Sequence, residues 1–189
     1  ATFDVSTPTT ALTLGSGQTL KISATGANAS AINTVASGKN LTLGNATTGL
    51  EFTAYGGGST APLTLAGSGG NLALASKPIK VDVTGSALAA GPYTLIAHGG
   101  SATVSGTPGS FSAGGSGLAT GATGTLSVNG SGDLILSLYY SVTFTNNDGS
   151  GTTTSGYATN GLTYGTLPTP TRTGYYFKGW NTAANGSGS

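Results

Sequence analysis

NLALASKPIKVDV, residues 71–83, carries the pattern that recurs through most of this chain. The words NLALA and IKVDV each alternate apolar residues with small or charged ones. Side chains of a β-strand point alternately to the two faces of its sheet, so this period of two predicts two strands, each with one buried face. The stretch therefore predicts two short strands, at 71–75 and 79–83.

The same kind of word appears on both sides of this stretch. Several words lie only 8 to 12 residues apart, and glycine-rich turn clusters such as YGGGST, HGGS and VNGSGD separate them. The predicted strands are ALTLG (11–15), TLKIS (19–23), NLTLG (40–44), LEFTA (50–54), PLTLA (62–66), YTLIA (93–97), TLSVN (125–129) and DLILSL (133–138). This spacing predicts an all-β protein.

Two all-β architectures fit these words. A β-solenoid, or parallel β-helix, stacks short strands coil over coil around a narrow interior. A β-sandwich pairs similar strands in antiparallel sheets around a thicker core, which usually requires larger side chains. The words here are built from Leu, Ala, Val and Thr, with few aromatic residues. The sequence therefore favours the solenoid and keeps the sandwich as its alternative.

Composition limits the functions open to the chain. Charged residues make up 6% of its 189 residues and the net charge is +1, so no long-range field attracts nucleic acid or an anionic membrane. Because there is no cysteine, disulfides and thiolate metal sites are excluded. No run of 18 apolar residues is present, so we expect no membrane-spanning helix. We also expect no cofactor and no metal.

The amino-acid composition changes at Tyr139. Six of the eight tyrosines lie from residue 139 onward. SVTFTNNDGSG (141–151) predicts a strand that ends in a turn, and the prolines of LPTPT (167–171) favour an extended connector. GYYFKGW (174–180) is rich in aromatic residues and predicts a further strand. We therefore divide the chain into a solenoid-like domain at 1–138 and a small module at 139–189.

The C-terminal module resembles the Listeria–Bacteroides repeat found in internalin-like surface proteins of bacteria. The resemblance is carried by VTFTNNDGSG (142–151) and by LTYGTLPTPTRTGYYFKGWNTAANGSGS (162–189). It implies a small β-grasp-like domain in an extracellular protein. The family pattern continues into a last aromatic strand that is missing before residue 189. We therefore expect an incomplete module, or one that takes this strand from another chain.

Residues from about 40 to 138 resemble the autotransporter-associated β-strand proteins of bacterial surfaces. The carriers are GNLALASKPIKVDVTG (70–85), AGPYTLIAHGG (90–100) and GLATGATGTLSVNGSGDLILSL (117–138), the last of which predicts a hairpin. This resemblance implies a secreted β-solenoid that acts as a stalk or an adhesive surface.

Few residues are suited to catalysis. A glycosidase needs two carboxylates that face one bond, and Asp82 and Asp133 are the only pair that a solenoid would bring near each other. Asp82 alternates with apolar residues and is expected to face solvent, and Asp133 fits ordinary turn chemistry. His98 could act as a base for Ser101, but no carboxylate is near it in sequence to orient it. We therefore predict that the chain is not an enzyme.

The aromatic run at 174–180 gives one binding hypothesis. If the run is a strand, its alternate side chains point to opposite faces. A domain of about 50 residues buries most of its large side chains, so one face, with Tyr175 and Phe177, is expected to be core. The other face is the predicted binding surface for a surface glycan or a partner chain: Tyr176, Lys178 and Trp180.

These features predict a non-catalytic, extracellular protein of the bacterial surface that acts as an adhesin-like stalk. An alternative is the subunit of an extracellular filament, built by end-to-end stacking or by donation of a strand from ATFDVSTPTTALTLG (1–15) to a neighbouring copy. In that case the partner is the chain itself. A polysaccharide-active β-helix enzyme is the remaining alternative.

Overall fold

A computed structural model of the chain describes residues 12–24, 33–35, 40–43, 49–65, 70–147, 149–159 and 166–188. Within these ranges the secondary structure consists of strands without helices, so the predicted all-β class is confirmed. The strands are β1 (Leu12–Thr13), β2 (Leu20–Ser23), β3 (Asn33–Val35), β4 (Asn40–Thr42), β5 (Leu50–Tyr55), β6 (Leu63–Leu65), β7 (Asn71–Ala73), β8 (Ile79–Val83), β9 (Gly91–His98), β10 (Thr103–Ser105), β11 (Phe111–Gly115), β12 (Ala122–Val128), β13 (Leu134–Thr145) and β14 (Thr153–Ala158).

Strands β1 to β11 wind through three sheets in a fixed order. The first sheet contains β1, β4, β7 and β10, the second β2, β5, β8 and β11, and the third β3, β6 and β9. All pairings among these described strands are parallel. In the first sheet Leu12 pairs with Leu41, Leu41 with Leu72 and Leu72 with Val104, so one coil takes 29, 31 or 32 residues.

Parallel pairing across successive coils is what a β-solenoid predicts and is not what an antiparallel sandwich predicts. We therefore interpret this winding as a β-solenoid. The core lies inside the coils, where residues at matching positions stack in rows. These rows are Leu41, Leu72 and Val104; Leu20, Leu50 and Ile79; Ile22, Phe52 and Val81; and Leu63, Ile96 and Leu134. Each buried side chain of this size contributes about 1.5–3 kcal/mol relative to an exposed one.

The predicted hairpin at 125–138 is present and closes one end of the coils. β12 pairs antiparallel with β13, and β13 pairs antiparallel with β9, in the place where a further parallel strand of the third sheet would lie. Its inward residues Leu134, Leu136 and Leu138 are fully buried. β12 contacts β11, and the amide of Val104 in β10 donates a hydrogen bond of 2.9 Å to the Gly132 carbonyl. The hairpin therefore acts as a cap over all three sheets.

β13 continues from the cap into the C-terminal module without a break. Its residues 140–145 pair antiparallel with β14. Burial changes along the strand, since Leu138 is fully buried whereas alternate residues from Ser141 onward are exposed. The change in burial falls close to the boundary predicted at 138/139, although one strand crosses it. The β-grasp-like arrangement of the module stays a prediction.

Every one of the ten strand words of the coil region coincides with a strand of the structure. One predicted strand is wrong, since GYYFKGW forms no strand. The amide of Tyr175 donates a hydrogen bond of 3.0 Å to the Arg172 carbonyl, which makes residues 172–175 a tight turn. Gly174 and Gly179 have φ angles of 82° and 145°, values that side-chain-bearing residues rarely adopt. The chain bends at both glycines, and the bends prevent a continuous strand.

Candidate functional site

The C-terminal module is held together by a small aromatic cluster. Phe144 lies on β13, and its ring centroid is 5.0 Å from that of Trp180. Phe177 also packs against Trp180, with 5.4 Å between the two ring centroids. The indole Nε1 of Trp180 donates a hydrogen bond of 2.8 Å to the Pro168 carbonyl. Trp180 therefore ties the aromatic run both to the hairpin and to the proline-rich connector.

Asn181 fixes the segment that follows the cluster. Its side-chain oxygen accepts hydrogen bonds of 2.9 Å from the amides of Ala183 and Gly188. Its side-chain nitrogen donates to the carbonyls of Gly186 and Gly188, at 3.2 and 2.7 Å. One side chain thus satisfies several backbone groups of a loop that has no regular structure.

The outer surface of the module carries two tyrosines and two basic residues. Tyr176 is 88% exposed and Tyr175 is 68% exposed. The guanidinium carbon of Arg172 lies 4.3 Å from the ring centroid of Tyr175, a cation–π contact. Lys178 is exposed and forms no ion pair with any described residue. We call Arg172, Tyr175, Tyr176 and Lys178 the outer surface.

A groove of about 440 Å³ runs along the outer surface. Besides the aromatic rings and Arg172, it is lined by the hydroxyl-bearing residues Thr169, Thr171 and Thr173. The groove is therefore amphipathic, with ring faces, hydroxyl groups and positive charge within one small area.

The predicted division of the aromatic run into two faces is wrong for two residues. Trp180 was expected on the open face, but its ring packs against Phe144 and Phe177. Tyr175 was expected in the core, but it is mostly exposed. The physical reason is that alternation holds only in a strand, and the turn at 172–175 and the bend at Gly179 break it. Tyr176 and Lys178 lie on the surface, where they were predicted.

The structure also brings together two residues that sequence reasoning kept apart. Asp133 lies beside His98, with 2.6 Å between Oδ1 and Nδ1, and the same oxygen accepts a hydrogen bond of 2.9 Å from the His98 amide. Because a carboxylate can only accept, Nδ1 carries the proton in this contact. The side chain of Asn129 donates to the second oxygen at 3.0 Å. The antiparallel register of β9 and β13 could have predicted this contact, because it places the end of one strand next to the start of the other.

These contacts fasten the cap to the coils. Asn129 and Asp133 form the hairpin turn, where the side-chain oxygen of Asn129 accepts hydrogen bonds from the amides of Ser131 and Asp133. His98 ends β9 at the register position of the buried Leu65. Partial burial raises the pKa of Asp133, but the hydrogen bonds from His98 and Asn129 outweigh this effect, so the net pKa is lowered.

Replacing Asp133 with asparagine is expected to lower the free energy of unfolding by about 1–2 kcal/mol at pH 5, because the charge-assisted bond to His98 is lost. A carboxylate with a lowered pKa stabilises the fold above its unfolded pKa, and this contribution disappears as pH falls through the folded value. The difference between wild type and Asp133→Asn should therefore shrink as the pH is lowered from 5. Urea unfolding over a series of pH values from 5 downward measures it, and a difference that stays constant over the whole series would show that the charge is not its cause.

A row of charges crosses the outside of the second sheet. Lys21, Glu51 and Lys80 occupy matching positions on β2, β5 and β8, with Nζ–O distances of 2.8 and 3.2 Å to Glu51. Lys80 also lies 3.0 Å from Asp82. The hydrogen bond from Lys21 is the largest influence on Glu51 and lowers its pKa, whereas Asp82 and Glu51 raise the pKa of Lys80. The row is thus an internally paired ladder.

Neither catalytic arrangement considered from the sequence is assembled in the described residues. Asp82 points outward from the second sheet and pairs with Lys80, while Asp133 pairs with His98 at the end of the third sheet. Ser101 is exposed in the turn closed by the hydrogen bond from the Ala102 amide to the Gly99 carbonyl, and Nδ1 of His98 is engaged by Asp133. Within the same described ranges, no three His, Cys, Asp or Glu side chains are grouped as metal ligands would be.

The fold and the outer surface define an all-β protein with parallel coils, a cap and an appended aromatic module. Residues 140–189 match the family model of the Listeria-Bacteroides repeat domain, so the C-terminal resemblance is confirmed. This repeat is typically found in surface or extracellular proteins of bacteria. No curated protein and no solved structure matches the chain. The resemblance of residues 40–138 to autotransporter-associated proteins stays a prediction.

In the residues that the structure describes, no helix has both the length and the apolar character needed to cross a bilayer.

Proposed function

We propose that this chain is a non-catalytic, extracellular protein of the bacterial surface. In this proposal the coils serve as an adhesin-like stalk and the C-terminal module makes the contacts. The match of residues 140–189 to the Listeria-Bacteroides repeat carries the proposal, because that repeat is typical of surface proteins. The coils support it through their chemistry, since the charges on the outside of the second sheet, Lys21, Glu51, Lys80 and Asp82, are paired with each other and the interior is filled mainly with aliphatic side chains.

The geometry of the module supports a contact role for its outer surface. Tyr175 and Tyr176 are largely exposed, whereas Phe144 and Trp180 of the same module pack against each other. Exposed tyrosines are favoured in recognition because one ring offers both apolar area and a hydroxyl group. The binding surface predicted from the sequence is thereby shifted from Tyr176, Lys178 and Trp180 to the outer surface, with Trp180 in a supporting position.

Localisation and inactivity can be tested together on the full chain. An antibody against the protein is expected to label intact cells of the bacterium that produces it, and purified protein is expected to release no reducing ends from a panel of polysaccharides. Label found only after cell lysis would overturn the surface assignment. Turnover that disappears in both Asp82→Asn and Asp133→Asn would restore the enzyme alternative.

The filament alternative stays a prediction with less support. The β12–β13 hairpin covers β9 and contacts β10 and β11, so it occupies the end of the coils where another copy would stack. Strand donation was predicted for residues 1–15, of which 1–11 lie outside the described residues.

A further inference from the structure

We infer that the outer surface of the module binds an acidic polysaccharide, with a tyrosine ring stacked on a sugar ring and Lys178 paired with a carboxylate of the sugar. This inference rests on the proposed function, because it names the ligand class for the surface already assigned a contact role. Three properties of the surface support it: its charge, its exposed rings and its hydroxyl groups.

The charge of this region favours an anionic ligand. The C-terminal module, residues 139–189, contains two basic residues, Arg172 and Lys178, and one acidic residue, Asp148. Both basic residues lie on the outer surface, and Lys178 forms no ion pair with any described residue, whereas in the coils Lys21 and Lys80 are paired with Glu51 and Asp82. A positive patch on a nearly uncharged protein concentrates anions locally, and the attraction is screened by salt.

The rings favour a ligand with a flat apolar face. Tyr176 is 88% exposed, and its ring is available for stacking. One face of Tyr175 is covered by the Arg172 guanidinium, which holds that ring in place beside the groove. The C–H face of a pyranose ring is apolar and matches an aromatic face, while the hydroxyl groups of the sugar remain at its edge.

The groove supplies partners for those hydroxyl groups. Thr169, Thr171 and Thr173 line it, and a threonine hydroxyl can both donate and accept a hydrogen bond. Single-stranded nucleic acid also combines negative charge with stacking, but its binding sites use a basic groove that follows several phosphates. A hydroxyl-lined groove that contains one basic residue, Arg172, with Lys178 outside its lining on the same outer surface, fits a sugar acid better.

The test uses the full chain and polygalacturonate as the acidic probe, with binding measured by biolayer interferometry at several salt concentrations. Fully methyl-esterified polygalacturonate keeps the sugar rings without their charge, and a thymidine 20-mer supplies charge without pyranose rings. Tyr176→Ala is expected to weaken polygalacturonate binding about tenfold, which corresponds to about 1.4 kcal/mol, because the stacking ring is lost. Lys178→Gln is expected to weaken it several-fold and to reduce its salt dependence.

Two matched controls use residues outside the groove. Tyr157→Ala removes another exposed tyrosine of the module, one that packs on Tyr139, and Lys77→Gln removes a partly exposed lysine of the coils. Both are expected to leave binding unchanged. Circular dichroism of each variant separates lost binding from lost folding, and Tyr176→Phe, which keeps the ring, is expected to retain binding.

Each outcome decides the inference. Binding of polygalacturonate that depends on Tyr176 and Lys178 supports it. Equal binding of the esterified polymer overturns the acidic class while leaving a contact role for the surface, and equal binding of the thymidine 20-mer overturns the sugar. If polygalacturonate does not bind but the protein still labels intact cells, this inference fails and the proposed surface location stands.

Discussion

Replacing Leu136 with alanine is expected to lower the free energy of unfolding by about 2–5 kcal/mol. Leu136 is the third residue of β13, is fully buried and is the middle one of three leucines through which the cap closes the coils. Its truncation leaves a cavity between the cap and the third sheet, and close-packed surroundings fill such a cavity only in part. Urea unfolding followed by far-ultraviolet circular dichroism gives the value.

The neighbouring Ile135 provides the control, because its side chain points to the outer face of the same strand and is only half-buried. Ile135→Ala removes the same number of carbon atoms as Leu136→Ala, yet its cost is expected to be about 1 kcal/mol or less. Similar losses for the two variants would contradict the inward packing of Leu136.

Gly115→Ala is expected to cost about 3–5 kcal/mol, which is large for the addition of one methyl group. Gly115 ends β11 with φ of 63°, and an added Cβ would overlap the carbonyl oxygen of Val83 on β8. That oxygen also accepts the 2.9 Å hydrogen bond from the Ser116 amide. To avoid the overlap, β11 must move away from β8, which breaks this bond and weakens the ladder between the last two coils.

Gly117→Ala separates the cost of the positive φ angle from the cost of the steric overlap. Gly117 has nearly the same φ, 65°, but an added Cβ there meets no atom within 4 Å. Its substitution therefore reports only the cost of the left-handed backbone, about 1–2 kcal/mol. The prediction for Gly115 is refuted if the two alanine variants unfold at the same urea concentration.

The alternation of apolar residues made most of the coil strands predictable. In IKVDV the three apolar residues are fully buried and the two charged residues lie outside, as the period of two requires. The strands that were not predicted are those whose sequences lack this alternation. One example is FSAGG, which forms β11 because all five of its residues pair with β8. A strand of that kind depends on a neighbouring coil that local propensity does not contain.

The choice between solenoid and sandwich depended on pairing direction, which the words themselves do not encode. What distinguishes the two is the matching of positions 29 to 32 residues apart, as for Leu41 and Leu72. The repeat is irregular in length, so the sequence alone favoured the solenoid over the sandwich without deciding between them.

At the candidate sites, too, the local sequence did not reveal contacts between residues that are distant along the chain. Tyr176 and Lys178 were predicted correctly as exposed because almost any conformation of a glycine-rich run leaves them outside. Trp180 was misplaced because two glycine bends carry it back onto Phe144, and such bends are decided by tertiary packing. The contact between His98 and Asp133 was missed because it spans 35 residues and depends on the turn of β13 back along β9.

The stacking of the coils also sets how far this protein can extend. Adjacent strands lie about 4.8 Å apart, so four stacked strands cover only about 14 Å, whereas 30 residues in a fully extended chain would span about 100 Å. The coil region is therefore broad and stiff for its length. Adding a whole coil would move the module outward by about 5 Å and keep every inward row in place, but inserting one residue in a strand would turn its buried side chains toward water. The height of the module above its base is thus adjustable only in whole-coil steps.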